Sequence, residues 1–406
     1  MRCHGVPERF ITGDASDWEK FQQWAETVPF TIRNPLFDWT HMELQRIFGI
    51  GDRLLCPETC RAIWEECNAK LATPEFSCRS VLRRLNVRVV CTTDDPADSL
   101  EAHRRIAADA GAFTRVYPTW RPDAGMAVEA PAAFNVWLDR LAAAANVEIR
   151  DFDSYLDALR LRHDYFHSVG CRVSDLALRL PYAAEFTPAE IRVIFQKARA
   201  GGNLDADEVA QFKSEMIYEF GVMDAEKGWA QQLHLGALRN NSTRLMRSLG
   251  PDSGGDSMGD WEIAQPLARQ LDRLDAEGRL PKTIIYTANP SSTEVVATML
   301  GCFQDSSLPG KIQLGAAWWF LDQADGIRRQ LEATGNLVLL RHTLCLPCDG
   351  RSFLSFVRHD YFRRVLCDWL GADVERGRIP NDPDLIGGMA QDICLRNSER
   401  YFGFAL

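Results

Sequence analysis

Seven short apolar or β-branched runs alternate with longer helix-like stretches in this chain, and that alternation restricts its fold more than any other feature. The runs cover residues 87–93, 113–119, 171–173, 230–235, 283–287, 312–316 and 337–340. Between them, 99–110, 292–300, 323–333 and 353–370 read as helices, the last with apolar residues at 3.6 spacing. Strands alternating with helices imply βα units and a parallel sheet. Most runs are followed by polar or aromatic residues: Thr92-Thr93-Asp94-Asp95, Trp120-Arg121-Pro122-Asp123, Ser174-Asp175, His234 with Arg239, Trp318-Trp319 and Asp349-Gly350-Arg351. An open doubly wound sheet also fits the alternation. In a (β/α)8 TIM-type barrel, residues after the strand ends converge on one site, which explains why so many of them are ionisable or aromatic.

The expected fold class is therefore α/β, a (β/α)8 barrel with about seven of its eight strands in view. No strand is evident in residues 1–86, which read as a helical N-terminal region with helices at 18–27, 39–48 and 57–72. Residues 87–406 form the barrel, with helical insertions at about 122–168 and 176–228. A content of 11 Trp, 8 Tyr and 21 Phe needs a sizeable core. The net charge of −10 argues against nucleic acid, whose phosphates are held by dense Lys/Arg patches. No apolar stretch approaches the roughly 18 residues of a membrane span, and the first residues lack an apolar signal region. Twelve cysteines, with Cys91, Cys302 and Cys367 in apolar segments, read as buried free thiols in a reducing cytoplasm.

Several residues carry chemistry in this pattern. Arg121, Arg239 and Arg351 each follow a run within a few residues, and guanidinium forks match a carboxylate bidentately. One such arginine alone would be an ordinary surface ion pair; three on one rim suit an acidic small molecule. Asp349 and His234 are the candidates for proton transfer or metal ligation. His163 and His167 lie at i and i+4 on one helix face, an arrangement that superficially resembles a zinc hydrolase helix. Asp164 stands where such chemistry needs Glu, and a third ligand is unidentified. Cys345 and Cys348 form a lone CxxC without the second pair that a structural zinc requires. The stretch 250–260, rich in Gly, Ser and Asp, reads as a mobile polar loop compatible with a lid.

Eight motifs, running in order from one end of the chain to the other, resemble uronate isomerases of the amidohydrolase superfamily. They are Thr12-Gly-Asp-Ala-Ser16, Asn34-Pro-Leu-Phe-Asp-Trp-Thr-His41, Thr92-Thr-Asp-Asp-Pro96, Trp120-Arg-Pro-Asp123, Gly170-Cys-Arg-Val-Ser-Asp175, His234-Leu-Gly-Ala-Leu-Arg-Asn-Asn241, Gly315-Ala-Ala-Trp-Trp-Phe320 and Asp349-Gly-Arg-Ser-Phe-Leu-Ser355. The resemblance implies a (β/α)8 barrel that interconverts D-glucuronate with D-fructuronate and D-galacturonate with D-tagaturonate in hexuronate catabolism. By motif position it makes Asp349 the metal ligand and proton-transfer group, with His234 beside the metal. Arg121, Asp175, Arg239, Trp318 and Arg351 would contact the sugar acid. The implied cofactor is a divalent metal, zinc first among candidates. The implied partners are a hexuronate and, as an option, a second copy of the chain as a homo-oligomer, with neither nucleic acid nor membrane.

The chain also departs from the family pattern. Its eight histidines include no His-x-His, the pair that supplies two metal ligands at the end of the family's first strand. The expectation is that the missing piece, with a proton-shuttling tyrosine, belongs N-terminal to the first motif, and that metal binding and turnover are weakened. A truncated, catalytically impaired family member is thus one alternative, and a zinc hydrolase built on His163 and His167 another. Leu176 stands where many relatives have His after Ser-Asp, and Gly350 where relatives often carry Ser.

Overall fold

The computed structural model describes residues 1–346 and 348–404. Its strands are β1 (Val89–Cys91), β2 (Arg115–Tyr117), β3 (Val173–Leu178), β4 (Ala230–Leu235), β5 (Ala237–Leu238), β6 (Ser257–Met258), β7 (Lys282–Thr287) and β8 (Ile312–Leu314). β3, β4, β7 and β8 form one parallel sheet in that order, and β1 pairs with β2, also in parallel. Parallel bridges from Asp94 to Trp120 and from Trp120 to Ser174 join the two sheets, just past the C-terminal ends of β1 and β2 and at the start of β3. The result is six parallel strands in sequence order, with helices between them, which is the winding of a TIM-type barrel. β5 and β6 form a small antiparallel ribbon beyond the end of β4.

Successive strand residues face opposite layers. Val173, Ala230, Ile284, Tyr286 and Ala288 face the barrel interior, where Trp318 and Tyr401 join them. Leu176, Leu233, Ile285, Ile312 and Leu314 instead pack outward against the helices. Tyr401 comes from the C-terminal helix Asn397–Phe402 and donates its hydroxyl to the Lys311 carbonyl, while Lys282 donates to the Tyr401 carbonyl. Phe404 stacks on Tyr117 at 4.9 Å and 7°. The chain's last described turn therefore lies across the N-terminal ends of β7 and β8 and reaches towards β2.

The first 86 residues carry the helices Asp17–Thr27, Pro35–Arg46, Cys60–Leu71 and Cys78–Arg84. Their apolar faces share a second cluster with the helix Arg358–Glu375, including Ile47, Phe48, Ile63, Phe362 and Leu366. In the long connections, Pro131–Ala145, Phe152–Ser168, Pro188–Arg199 and Ala206–Lys227 are helices around an aromatic core of Phe134, Phe152, Tyr155, Phe195 and Phe212. The last of these starts at a capping box. Asp205 accepts from the Glu208 amide at 2.9 Å and Glu208 accepts from the Asp205 amide at 2.8 Å. Asp205→Ala is expected to cost about 1 kcal/mol, read as a lower urea midpoint at unchanged slope.

Three expectations need correction. Residues 337–340 are not a strand: the helix Ala324–Leu337 runs into them and the 3-10 turn Leu340–His342 follows. Val338 and Leu339 are extended, but β8 offers this stretch only the side chain of Gln313, bonded to the His342 carbonyl, and no ladder. Six barrel strands, not seven, are thus present among the described residues. The third strand is Val173–Leu178 and not 171–173; its buried Ser174 and Asp175 interrupt the apolar signal. Finally, all twelve cysteines are free, but Cys91, Cys302 and Cys367 are exposed, while Cys60 and Cys171 are buried. An apolar neighbourhood in sequence does not choose which face a residue takes. Among the described residues no helix is long and apolar enough to cross a membrane.

Candidate active site

The interior face of the sheet brings ionisable groups together, from mid-strand in β3 to the C-terminal end of β4 and the segment after β2. Asp175 of β3 lies opposite Gln232 of β4, and His234 lies opposite Ala177, so Asp175 and His234 are diagonal neighbours on one face. They meet with His234 Nδ1 2.6 Å from Asp175 Oδ1. Arg121 Nη1 donates to Asp175 Oδ2 at 2.5 Å, and Arg121 Nε donates to Asp123 Oδ2 at 2.7 Å. Asp123 also accepts from the Ala177 amide at 3.1 Å, which ties the loop after β2 to β3. Burial alone would raise the Asp175 carboxyl, but the charges and hydrogen bonds of His234 and Arg121 outweigh it and hold the group below its usual value. Burial prevails at Asp123, whose carboxyl is pushed up despite Arg121. An ionised Asp175 only accepts, so Nδ1 of His234 carries a proton and donates it.

The other face of the imidazole is walled by rings. Tyr286, the register partner of His234 on β7, stacks on it at 4.4 Å and 6°. Trp318 lies 4.6 Å away at 54°. The Tyr286 hydroxyl donates to Gln232 at 2.9 Å. Among the described residues no hydrogen bond engages Nε2 of His234.

The remaining arginines gather around a loop. Trp319 packs on Trp318 at 4.9 Å, and the Arg239 guanidinium lies 4.4 Å from the Trp319 ring centre. Arg239 pairs with Asp256 at 2.9 Å and with Asp252 at 3.3 Å. Asp252 also reaches Arg351, 3.6 Å away, whose side chain is 89% exposed. Asp349 is exposed on the same segment as Arg351; its carbonyl accepts from Arg358 at 3.4 Å, and its charge helps raise the Tyr286 phenol, mainly a burial effect. Among the described residues no hydrogen bond or ion pair joins Asp349 to His234.

The structure thus places Arg121, Asp175, His234 and Trp318 in one contact chain, connects Arg239 to it through Trp319, and couples Arg351 to Arg239 through Asp252. Asp349 stands apart at the rim. The sequence points to Asp123 only as part of the run after the second strand, to Asp252 and Asp256 only within the loop 250–260, and to Tyr286 only as a strand residue. Tyr286 was detectable, since it sits near the end of a clear strand at the position where a barrel residue turns inward.

A metal site was also expected here, with His234 and Asp349 as ligands. Among the described residues no three His, Cys, Asp or Glu side chains gather to hold an ion. His234 has Nδ1 engaged by Asp175, and Asp349 is not in contact with it. These two donors alone do not fit a resident divalent ion, which takes at least three protein ligands in zinc sites. The pair His163 and His167 makes no alternative centre. His163 is 2% exposed and bonded to Asp224, while Nδ1 of His167 accepts from the Trp229 indole at 2.9 Å. Cys345 and Cys348 are directed elsewhere, Cys345 towards His359 and Cys348 towards Ser355.

A family model for glucuronate isomerase matches residues 1–402. The chain belongs to this family. A uronate isomerase from Cellvibrio japonicus is 52% identical over 406 residues, which is all of this chain and 86% of that protein. One from Bacteroides thetaiotaomicron is 51% identical with the same coverage. Among solved structures, the uronate isomerase of Thermotoga maritima superimposes with a TM-score of 0.92 at 34% identity, over 99% of this chain and 86% of that one. Glucuronate isomerase from Caulobacter crescentus gives 0.88 at 25% identity, over 99% and 83%. Membership leaves the zinc hydrolase reading without support.

Proposed function

We propose that this isomerase converts D-glucuronate to D-fructuronate and D-galacturonate to D-tagaturonate. The reaction moves one proton from C2 to C1 and a second between the two oxygens, through an enediolate. Asp349, an exposed carboxylate at the rim, takes the C2 proton and returns it to C1. His234, held by Asp175, receives the hydroxyl proton at Nε2 and delivers it to the neighbouring oxygen. Arg239 and Arg351 bind the sugar acid's carboxylate once it displaces Asp252, and anchoring that remote group fixes C1 and C2 against the proton-transfer groups. Trp318 supplies an apolar wall. Arg121 and Asp175 act through His234, since their polar atoms already engage one another.

The observation that carries this reading is the Arg121–Asp175–His234 chain, half-buried around a buried Asp175, whose imidazole packs on Trp318 and through Trp319 is connected to Arg239. Free thiols throughout suit a reducing, cytoplasmic compartment. The test is ketose formation from each uronate by the purified chain, with added divalent metal as a second arm. Appearance of ketose from either substrate supports the reading; none from both overturns it. Arg351→Gln is expected to raise KM about 10-fold with kcat little changed, since a charge-assisted contact made equally in ground and transition states is lost. An unchanged KM removes Arg351 from the binding site.

A further inference from the structure

Directly behind the Asp175–His234 contact lies a polar cluster for which the isomerisation has no use so far. Ser174 of β3 and Gln231 of β4 are register partners that point outward, into the helical layer, with 0% and 1% exposure. Asp224 enters between them from the helix Ala206–Lys227 and is itself 0% exposed. Its Oδ2 accepts from Ser174 Oγ at 2.5 Å and from Gln231 Nε2 at 3.5 Å. His163 Nε2 lies 3.1 Å from its Oδ1. His163, from the helix Phe152–Ser168, packs on Trp229 at 3.8 Å and against Trp120 at 5.3 Å. One carboxylate therefore joins two strands and two helices.

We propose that Asp224 is a positioning residue for the reaction: by holding Ser174 and Gln231 together on the outer face, it fixes the relative placement of β3 and β4 that brings Asp175 to His234 on the inner face. The proposal rests on the reading of His234 as the proton relay. Two features of the geometry support it. The Asp175–His234 contact is diagonal, and diagonal neighbours across a strand pair stand about 7–8 Å apart at their backbones, so a small slide of one strand lengthens the 2.6 Å bond. Apolar packing tolerates such a slide better than hydrogen bonds, whose lengths and angles are narrow. Ser174 is also the immediate chain neighbour of Asp175, which makes the outer restraint act at the right residue. A carboxylate buried in an apolar layer is costly unless its donors are all in place, and here donors from three other elements converge on it.

The test compares Asp224→Asn with the wild-type chain, using Ser174→Ala as a milder second variant should the first fail to fold. Circular dichroism and thermal melting establish that each variant is folded. Asn keeps the size of Asp224 but turns one acceptor into a donor, so either the strand link or the His163 link is lost. Expected is a kcat about 10-fold lower with KM within about twofold, as for displacement of a proton-transfer group without loss of substrate contacts. In an Asp175→Asn background the same change should cost little more, because the contact it positions is already broken. Histidine-labelled NMR gives a readout independent of turnover: the Nδ1 proton of His234, assigned by its loss in His234→Gln, should move upfield as its bond to Asp175 lengthens. A folded variant with wild-type kcat and an unmoved resonance overturns the proposal, as does an equal loss in both backgrounds. If the wild-type chain forms no ketose, the isomerase reading fails and the resonance alone decides the role of Asp224.

Discussion

Asp175→Asn is expected to lower ketose formation by about 10²- to 10⁴-fold in kcat, the range associated with loss of an oriented acid–base group. The reason is a change of tautomer. Arg121 donates to one oxygen of Asp175 and His234 to the other. Arginine is always a donor, so the amide of Asn turns its oxygen to Arg121 and its NH2 group to His234. Nδ1 must then accept, the proton moves to Nε2, and that nitrogen can no longer take a proton from a substrate hydroxyl. KM should change far less, because no substrate contact is removed. Steady-state kinetics on folded protein check this; kcat within about threefold of wild type would remove His234 from the chemistry.

Arg121→Met is expected to cost about 1–3 kcal/mol at neutral pH, the consequence of leaving charged acceptors unpaired at a site that is only partly buried. It leaves two carboxylates, Asp123 and Asp175, facing each other without their cation. The penalty depends on pH in a direction that the shifts fix. In the wild type Asp175 has a depressed value, so the stability it contributes is present above its unfolded pKa and is lost as pH falls through the folded one. In the variant Asp123 loses the Arg121 charge that opposes its burial and rises further above its unfolded value, while Asp175 keeps His234, so the variant recovers stability on acidification through Asp123. Asp123 already behaves this way in the wild type, where burial pushes its carboxyl up. The two stability curves should therefore converge as the solution is acidified from pH 7 towards the carboxylate range. Urea unfolding across that interval measures it, and a constant difference would show that Arg121 stabilises by packing alone.

The outline of the barrel was legible because β4 and β7 carry an apolar signal bounded by turn residues, and the structure places strands at Ala230–Leu235 and Lys282–Thr287. β3 was blurred for the reason that makes it important: its centre carries Ser174 and Asp175, each buried and satisfied by partners 50 or more residues away in sequence. Residues 337–340 misled in the opposite way. Their leucines and valine have strand composition, yet Leu337 closes a helix and Leu340 packs in the cluster with the N-terminal helices. Leu337 and Leu339 are in fact exposed, so apolar composition by itself reports neither burial nor strand.

The arginines were legible as a set but not in their division of labour. Arg121 follows its strand just as Arg239 and Arg351 follow theirs, and only the three-dimensional partners separate a guanidinium bonded to the carboxylate that holds His234 from guanidiniums that share Asp252 on an exposed loop. His163 and His167 illustrate the same limit. Helical spacing puts them on one face, but the burial of His163 beside Asp224 and the indole bonded to His167 come from elements more than 60 residues on. The loop of residues 250–260 was recognisable by its Gly and Asp content, whereas its pairing of Asp252 with two arginines depends on where the ribbon of β5 and β6 sets it down.

The turn that carries Tyr401 has a consequence for how the molecule is made. Its ring and carbonyl are bonded to the opening residues of β7 and β8, which leave the ribosome roughly 90 to 120 residues earlier. At ordinary rates of synthesis, about 5–20 residues per second, those strands wait for several seconds with their lower ends unsealed. Nascent chains stalled in that interval should be far more open to proteases than the released protein, and extending the C-terminus with a bulky fusion should prolong that vulnerability.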